Sequence, residues 1–194
     1  MCLSAGERTK TVFDAIDGRR SVRAYAQENP EDRAMRTLLE AAVRAPTAMH
    51  EEPWGFVVVQ DRDILKRVSD LAKPLFLERL HGPHILETFS NPDFDIFHGA
   101  GTLVVICAKP SGPFVEADCW LAAENLMLAA CALGLGSCVI GSSVAALNMP
   151  DVKHELGIPE EFDAVAPVVV GKPSGETPSV SRKEPLILSW RRSS

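Results

Sequence analysis

Apolar residues return along this chain at two spacings. Met35, Leu38, Leu39, Ala42 and Val43 recur at the interval of a helix with one buried face. The preceding Asn29-Pro30-Glu31-Asp32 supplies a polar N-cap, a proline at the first helical position and acids for the first turn, and Pro46 stops the run. Val12, Phe13 and Ile16 predict a short amphipathic turn. Asp61 predicts the cap of a further helix whose Ile64, Leu65, Val68 and Leu71 share a face. By contrast, residues 56–59, 103–107, 138–140 and 164–170 are continuous apolar runs, the pattern of strands buried on both sides. Residues 116–133 are apolar around nearly the whole helical circumference and predict a central helix, ended by a left-handed Gly134 or Gly136. Another helix ends near Leu156-Gly157. Residues 74–99, punctuated by Gly82-Pro83 and Asn91-Pro92, read as irregular. A last apolar run, residues 186–190, stands alone behind a Pro/Ser-rich stretch.

This pattern contains no repeat, no low-complexity segment and no linker, so residues 1–194 are expected to form one domain, large enough to bury a substantial core. The net charge of −6 argues against a general nucleic-acid or anionic-membrane binder, and makes a local basic cluster at Arg19, Arg20 and Arg23 conspicuous. The run from Cys119 to Gly141 is long enough to span a bilayer, but Glu124 and Asn125 fall inside it and no basic flank orients it, which favours a buried helix. Of the five cysteines (Cys2, Cys107, Cys119, Cys131 and Cys138) four lie in apolar runs and no two form a CxxC pair. Buried, reduced thiols and a cytoplasmic location are expected.

Three separated segments carry the candidate chemistry. Arg19-Arg20-Ser21-Val22-Arg23-Ala24-Tyr25 gathers guanidiniums and a hydroxyl suited to a phosphate. Ala45 to Trp54 is a polar loop between a helix and a strand, and Leu133-Gly134-Leu135-Gly136-Ser137-Cys138-Val139-Ile140-Gly141 leads from the central helix into a strand. There is no GxGxxG after a strand and no Walker-type Gly-Lys-Ser/Thr, so side chains must hold any phosphate. In this order and spacing, from about Val12 to Arg182, the segments resemble the nitroreductase family of FMN-dependent oxidoreductases.

The resemblance implies an α+β, three-layer α-β-α sandwich with a mixed central sheet and helices on both faces. It implies a homodimer that binds FMN and uses NAD(P)H to reduce an electron-poor small molecule such as a nitroarene or quinone. The flavin would carry the chemistry, with no catalytic side chain required and no metal. By the same resemblance Arg19, Ser21 and Arg182 would hold the phosphate, with Arg20 beside them. Arg23 would face flavin N1 and O2, where reduction gathers negative charge. Pro46, Thr47, His50 and Glu52 belong to the cofactor loop, and Val139, Ile140 and Gly141 to the segment along flavin N5. Residues 184–194 would form an arm on the partner subunit, and residues 74–99 a mobile cover over the site.

Three positions depart from the family pattern: His50 stands where Asn is usual, and Glu52 and Glu124 where Gln is usual. A carboxylate only accepts hydrogen bonds and would oppose charge on a reduced flavin. These departures leave room for a specialised relative, dehalogenase-like or flavin-consuming, or for a flavin-binding protein without turnover. His81, His84 and His98 do not have the spacing of a metal-ligand set and read as ordinary surface or core histidines.

Overall fold

A computed structural model describes residues 10–80 and 82–192. At its centre, strands β1 (Trp54–Val59), β2 (Thr102–Ala108), β3 (Gly136–Val139) and β4 (Asp163–Gly171) form one sheet in the order β1-β2-β4-β3. Phe56 lies opposite Ile106, Val104 opposite Val168 and Cys138 opposite Val169. Every pairing between these strands is antiparallel, where a mixed sheet was expected. A strand buried on both faces reads as a continuous apolar run in either direction, so the sequence pattern alone does not fix strand polarity. Parallel pairing occurs among the described residues as an isolated bridge between Ser21 and Ser137.

Alternation along β2 divides the core in two. Leu103, Val105 and Cys107 face one cluster, with Leu65, Val68 and Ala72 of α3 (Arg62–Arg79), Ala146 and Leu147 of α6 (Val144–Leu147), and Val152 of α7 (Pro150–Leu156). Val104, Ile106 and Ala108 face the other, with Met35, Leu38 and Ala42 of α2 (Asp32–Ala42) and Ala122, Leu126 and Ala130 of α5 (Val115–Ala132). Every residue of β2 is buried, as period-two alternation between two covered faces requires. The result is the expected three-layer arrangement.

Helix α5 ends as a Schellman motif. Leu135 N–H donates to the Ala130 carbonyl at 2.8 Å and Gly134 N–H to that of Cys131 at 3.2 Å, with Gly134 at φ 74°. Asp61 caps α3 by accepting from the N–H groups of Asp63 and Ile64. The N-cap of α2 is Glu31, which makes no side-chain capping bond, so the predicted start at Asn29-Pro30 is two residues early. A Cβ on Gly101 would fall 1.9 Å from Asn29 Oδ1, which places the asparagine against that glycine.

The expectation of an irregular 74–99 region fails. Helix α3 continues through the exposed Pro74 to Arg79, and α4 spans Pro83–Ser90. Their aromatics hold them together: Phe76 stacks on Phe89 with centroids 4.5 Å apart, and Phe89 meets Phe94 edge-on at 5.3 Å. Lys73 is buried with its charge satisfied, since Nζ donates to the carbonyls of Pro92 and Phe94 and pairs with Asp70 at 2.9 Å. Beyond β4 the chain runs without regular structure, and Leu186, Ile187, Leu188 and Trp190 are exposed.

Candidate functional site

The segment after α1 (Val12–Gly18) is clamped across the ends of two strands. Val22 N–H donates to Ser137 O at 3.0 Å, Ala26 N–H to Lys172 O at 2.9 Å, and Ser174 N–H to Ala24 O at 2.9 Å. Val22 and Tyr25 point into the protein, and the Tyr25 hydroxyl donates to the Val22 carbonyl at 2.8 Å. Burial pushes the Tyr25 phenol well above its usual range. Two glycines permit this approach. A Cβ on Gly136 would stand 2.7 Å from Val22 Cγ2, and one on Gly171 2.8 Å from Tyr25 Cδ1.

The polar residues of the segment divide by task. Arg20 turns back on α1, its Nη1 donating to the carbonyls of Asp17 at 2.6 Å and Arg19 at 2.8 Å, so it caps a helix C-terminus. Arg19 meets Glu124 of α5, Nε to Oε1 at 3.5 Å. Arg19 and Arg20 line a cavity of about 260 Å³ with Lys10, Cys131 and the start of β3; Lys10 Nζ lies 3.7 Å from Cys131 Sγ.

Arg23 lines a second cavity, of about 330 Å³, on the other side of the segment. Its far wall is Cys138 to Ser142, and Phe76, Phe89, Phe94 and His98 close one flank. Cys138 joins the two cavities electrostatically. Burial raises its pKa, while Arg23, a hydrogen bond from Ser21 and Arg19 pull it down. His98 is held below its usual pKa, first by burial and then by the Arg23 cation. Its backbone is left-handed at φ 57°, a conformation that costs energy outside glycine. Asp95 holds this turn by accepting from the N–H groups of Phe97 and Gly99.

On the far wall, Ile140 N–H donates to Pro167 O at 2.9 Å, which fixes the exit from β3. The 3₁₀ turn Gly141–Ser143 follows. A Cβ on Gly141 would meet nothing within 4 Å, so this edge of the cavity is open backbone.

The structure therefore gathers Arg19, Ser21, Arg23, Val139, Ile140 and Gly141 around the start and exit of β3. Arg20 lines the Arg19 cavity too, but with its Nη1 engaged by backbone carbonyls, and the other sequence-predicted residues are not brought to them within one chain. Pro46, Thr47, His50 and Glu52 lie on a loop that lines neither cavity, and Arg182 is exposed on the C-terminal stretch. Within this loop Met49, His50 and Glu52 all have positive φ, at 55°, 57° and 44°. An anchor that sequence reasoning missed holds it: buried Asp118 of α5 accepts from Ala48 N–H at 3.2 Å. The only signal for Asp118 was a carboxylate inside an otherwise apolar helix, a signal read at Glu124 instead. Glu124 is half-exposed and faces Arg19.

Among the described residues no three His, Cys, Asp or Glu side chains form a group that could hold a metal, and none of the helices is long and apolar enough to cross a membrane. His81 and Cys2 lie outside the described residues.

Known proteins share this chain's sequence and fold along most of its length. A protein of Archaeoglobus fulgidus, provisionally named an NADH dehydrogenase/NAD(P)H nitroreductase, is 32% identical over 163 residues, 81% of this chain and 83% of that one. The iodotyrosine deiodinase of Thermotoga neapolitana is 25% identical over 185 residues, 92% of this chain and 97% of its own. Among solved structures, a nitroreductase of Bacteroides fragilis with bound FMN superimposes with a TM-score of 0.79 at 29% identity. It covers 93% of this chain and all of its own. The nitroreductase-family profile matches residues 16–172, from the end of α1 to the end of β4, and the chain belongs to the nitroreductase family.

Proposed function

We propose that this protein is a homodimeric, FMN-dependent oxidoreductase that uses NAD(P)H to reduce an electron-poor small molecule such as a nitroarene or quinone. The observation that carries the reading is that Arg23 shares one cavity with the open Gly141 edge, while Arg19 and Ser21 of the same short segment lie at the start of β3. This donor set fits a phosphorylated flavin. Arg19 and Ser21 offer charged and neutral donors to a phosphate. Arg23, for which no hydrogen bond or ion pair exists among the described residues, offers a free cation to a ring that gains charge. A glycine edge admits a flat ring closely.

FMN, when bound, supplies two-electron transfer between NAD(P)H and the acceptor. The chain's own contribution is to bind and orient. Arg23, itself exposed, places a positive charge at the edge of a cavity walled by Phe76, Phe89 and Phe94. Those rings offer an apolar surface to an aromatic acceptor and exclude water from one flank. No described side chain is needed as an obligatory acid, because solvent at the cavity mouth can supply the proton.

The homodimer accounts for what one chain leaves incomplete. The loop bearing Pro46, Thr47, His50 and Glu52, and the stretch bearing Arg182, would complete the site from the partner. The C-terminal arm, residues 184–194, would cover apolar surface there. Val12, Phe13 and Ile16 on α1, and Trp120 and Leu121 on α5, the helix that α1 packs against, are exposed and offer apolar surface for such an interface. Truncation before Glu184 should lower dimer stability and FMN retention together, as read by light scattering and released flavin. A truncated dimer holding FMN as well as the full chain overturns the role of the arm.

The likeness to the deiodinase favours one second reading, reductive removal of halide from an aromatic substrate. Anaerobic rapid mixing decides between them. The nitroreductase reading expects flavin bleaching by NADH or NADPH within a turnover time and reoxidation by a nitroarene or quinone. The dehalogenase reading expects slow bleaching by either nucleotide and reoxidation by an iodophenol. Flavin that neither nucleotide bleaches and neither acceptor reoxidises refutes both.

A further inference from the structure

We propose that the carboxylate of Glu124 tunes how tightly this protein retains its cofactor, by holding Arg19 in place while opposing the phosphate that Arg19 binds. The inference rests on the reading of Arg19 as a phosphate ligand, and it concerns what the chain does with a phosphate monoester once one arrives.

The cations around the Arg19 cavity are engaged differently. Arg20 is engaged by two carbonyls at the end of α1, and Lys10 lies against the Cys131 thiol. Arg19 is held at a single nitrogen, Nε, 3.5 Å from Glu124 Oε1. A guanidinium carries five N–H donors in a rigid fork. With Nε turned to Glu124, the end-on edge, one N–H from each terminal nitrogen, is left for another anion. That is the paired geometry a phosphate uses. Glu124 thus engages one edge of the fork and leaves the outer edge to a phosphate.

The same carboxylate is a fixed negative charge across one guanidinium from the site of a dianion. The Glu124 side chain keeps 49% of its exposure and that of Arg19 only 20%. The carboxylate therefore stays open to solvent while the Arg19 side chain is largely buried. Attraction between Arg19 and Glu124 must be shared with the phosphate, and the two anions repel each other through a medium that salt screens only in part. A neutral amide at this position would still offer Arg19 an acceptor oxygen without the opposing charge. The consequence is a cofactor that exchanges more readily, with occupancy that follows the supply of free FMN.

The test is flavin binding by apoprotein, read by quenching of flavin fluorescence, for wild type and Glu124→Gln with FMN and with riboflavin. Glu124→Gln should bind FMN about three- to tenfold more tightly, the scale of an exposed charge interaction, and riboflavin unchanged. The gain should shrink as salt is raised. FMN affinity that is unchanged or weaker in Glu124→Gln overturns the proposal, as does an equal gain for riboflavin, since the latter does not act through the phosphate. Arg19→Ala separates this failure from failure of the underlying reading. If Arg19→Ala binds FMN as wild type does, the phosphate assignment itself falls. Thermal unfolding of each apoprotein confirms that the variants are folded, and a Glu124→Gln apoprotein that gains FMN affinity only in proportion to its added stability also counts against the proposal.

Discussion

Gly136→Ala should loosen the whole basic segment from the sheet, and the size of the effect follows from the packing. A methyl at position 136 would lie 2.7, 2.8 and 2.9 Å from Cγ2, Cβ and Cγ1 of Val22. Carbon atoms in favourable contact stand roughly 3.5–4.0 Å apart, so about 1 Å of clearance is missing. Rotating Val22 does not relieve the clash, because Cβ itself is too close and a β-branched side chain has few alternatives at χ1. The backbone must move, and it is tied to the same strand by Val22 N–H to Ser137 O at 3.0 Å. Overpacking of this kind costs about 1–3 kcal/mol. The displacement would carry Arg19, Ser21 and Arg23 with it, so FMN affinity should fall alongside stability. Gly141→Ala is the matched control, since a Cβ there meets nothing within 4 Å. It should leave the apoprotein's urea midpoint unchanged yet weaken FMN roughly tenfold or more by filling the open edge of the cavity. A Gly136→Ala protein with wild-type stability refutes the packing argument. A Gly141→Ala protein with wild-type FMN affinity refutes the placement of the flavin against that edge.

Other outcomes follow from single features. Arg19→Ala should cost FMN one to two decades of affinity, at about 1.5–3 kcal/mol for a charge-assisted bond, and should spare riboflavin. Equal losses for the two flavins refute the phosphate role. Asn148 joins α6 to β4 by donating to Val144 O at 3.0 Å and Ala164 O at 2.9 Å while accepting from Ala164 N–H at 2.8 Å. Asn148→Ala strands buried backbone groups of Ala164 and should cost about 2–3 kcal/mol in urea unfolding; a loss below about 0.5 kcal/mol refutes that network. Burial pushes the Cys107 thiol up to about 11 and that of Cys119 up to about 12. An unfolded thiol releases its proton near its ordinary value of 9.0 while the folded one keeps it, so stability should be level below pH 9.0 and decline as pH rises through that value toward 11 and 12. Thiol reagent should label these two positions at pH 8 only on unfolding, and fast native labelling refutes their burial.

Much of this architecture was legible because burial is written as continuous apolarity. β2 is buried throughout, and α5 is apolar both on its buried face and at the exposed Trp120 and Leu121, so their sequences have few polar interruptions, and both were located within about a residue. The hidden parts are those where local punctuation disagrees with tertiary packing. Pro74, Gly82-Pro83 and Asn91-Pro92 read as breaks, yet Pro74 sits on the exposed face of α3 and Pro83 opens α4 at its first turn. What holds these helices is the Phe76–Phe89–Phe94 cluster and the buried Lys73, and neither has a periodic signature.

At the site, the tight cluster Arg19 to Arg23 was readable because five adjacent residues carry it. Its division of labour was not, since the turn of Arg20 toward the Asp17 carbonyl depends on where α1 ends. Asp118 was missed because its partner, the Ala48 amide, lies 70 residues away. The loop at His50 and Glu52 and the position of Arg182 are legible only as resemblance, because one chain brings neither to the cavities.

The central claim is that residues 19–23 and 139–141 form the seat of a phosphorylated flavin, and flavin content tests it most directly. Purified apoprotein should be incubated with excess FMN, freed of unbound ligand by gel filtration, and its absorbance compared with that of acid-released flavin. Uptake close to one FMN per chain, lost in Arg19→Ala and in Gly141→Ala, is the expected result. Protein that emerges colourless from this treatment, or that takes up FMN equally well in both variants, contradicts the claim.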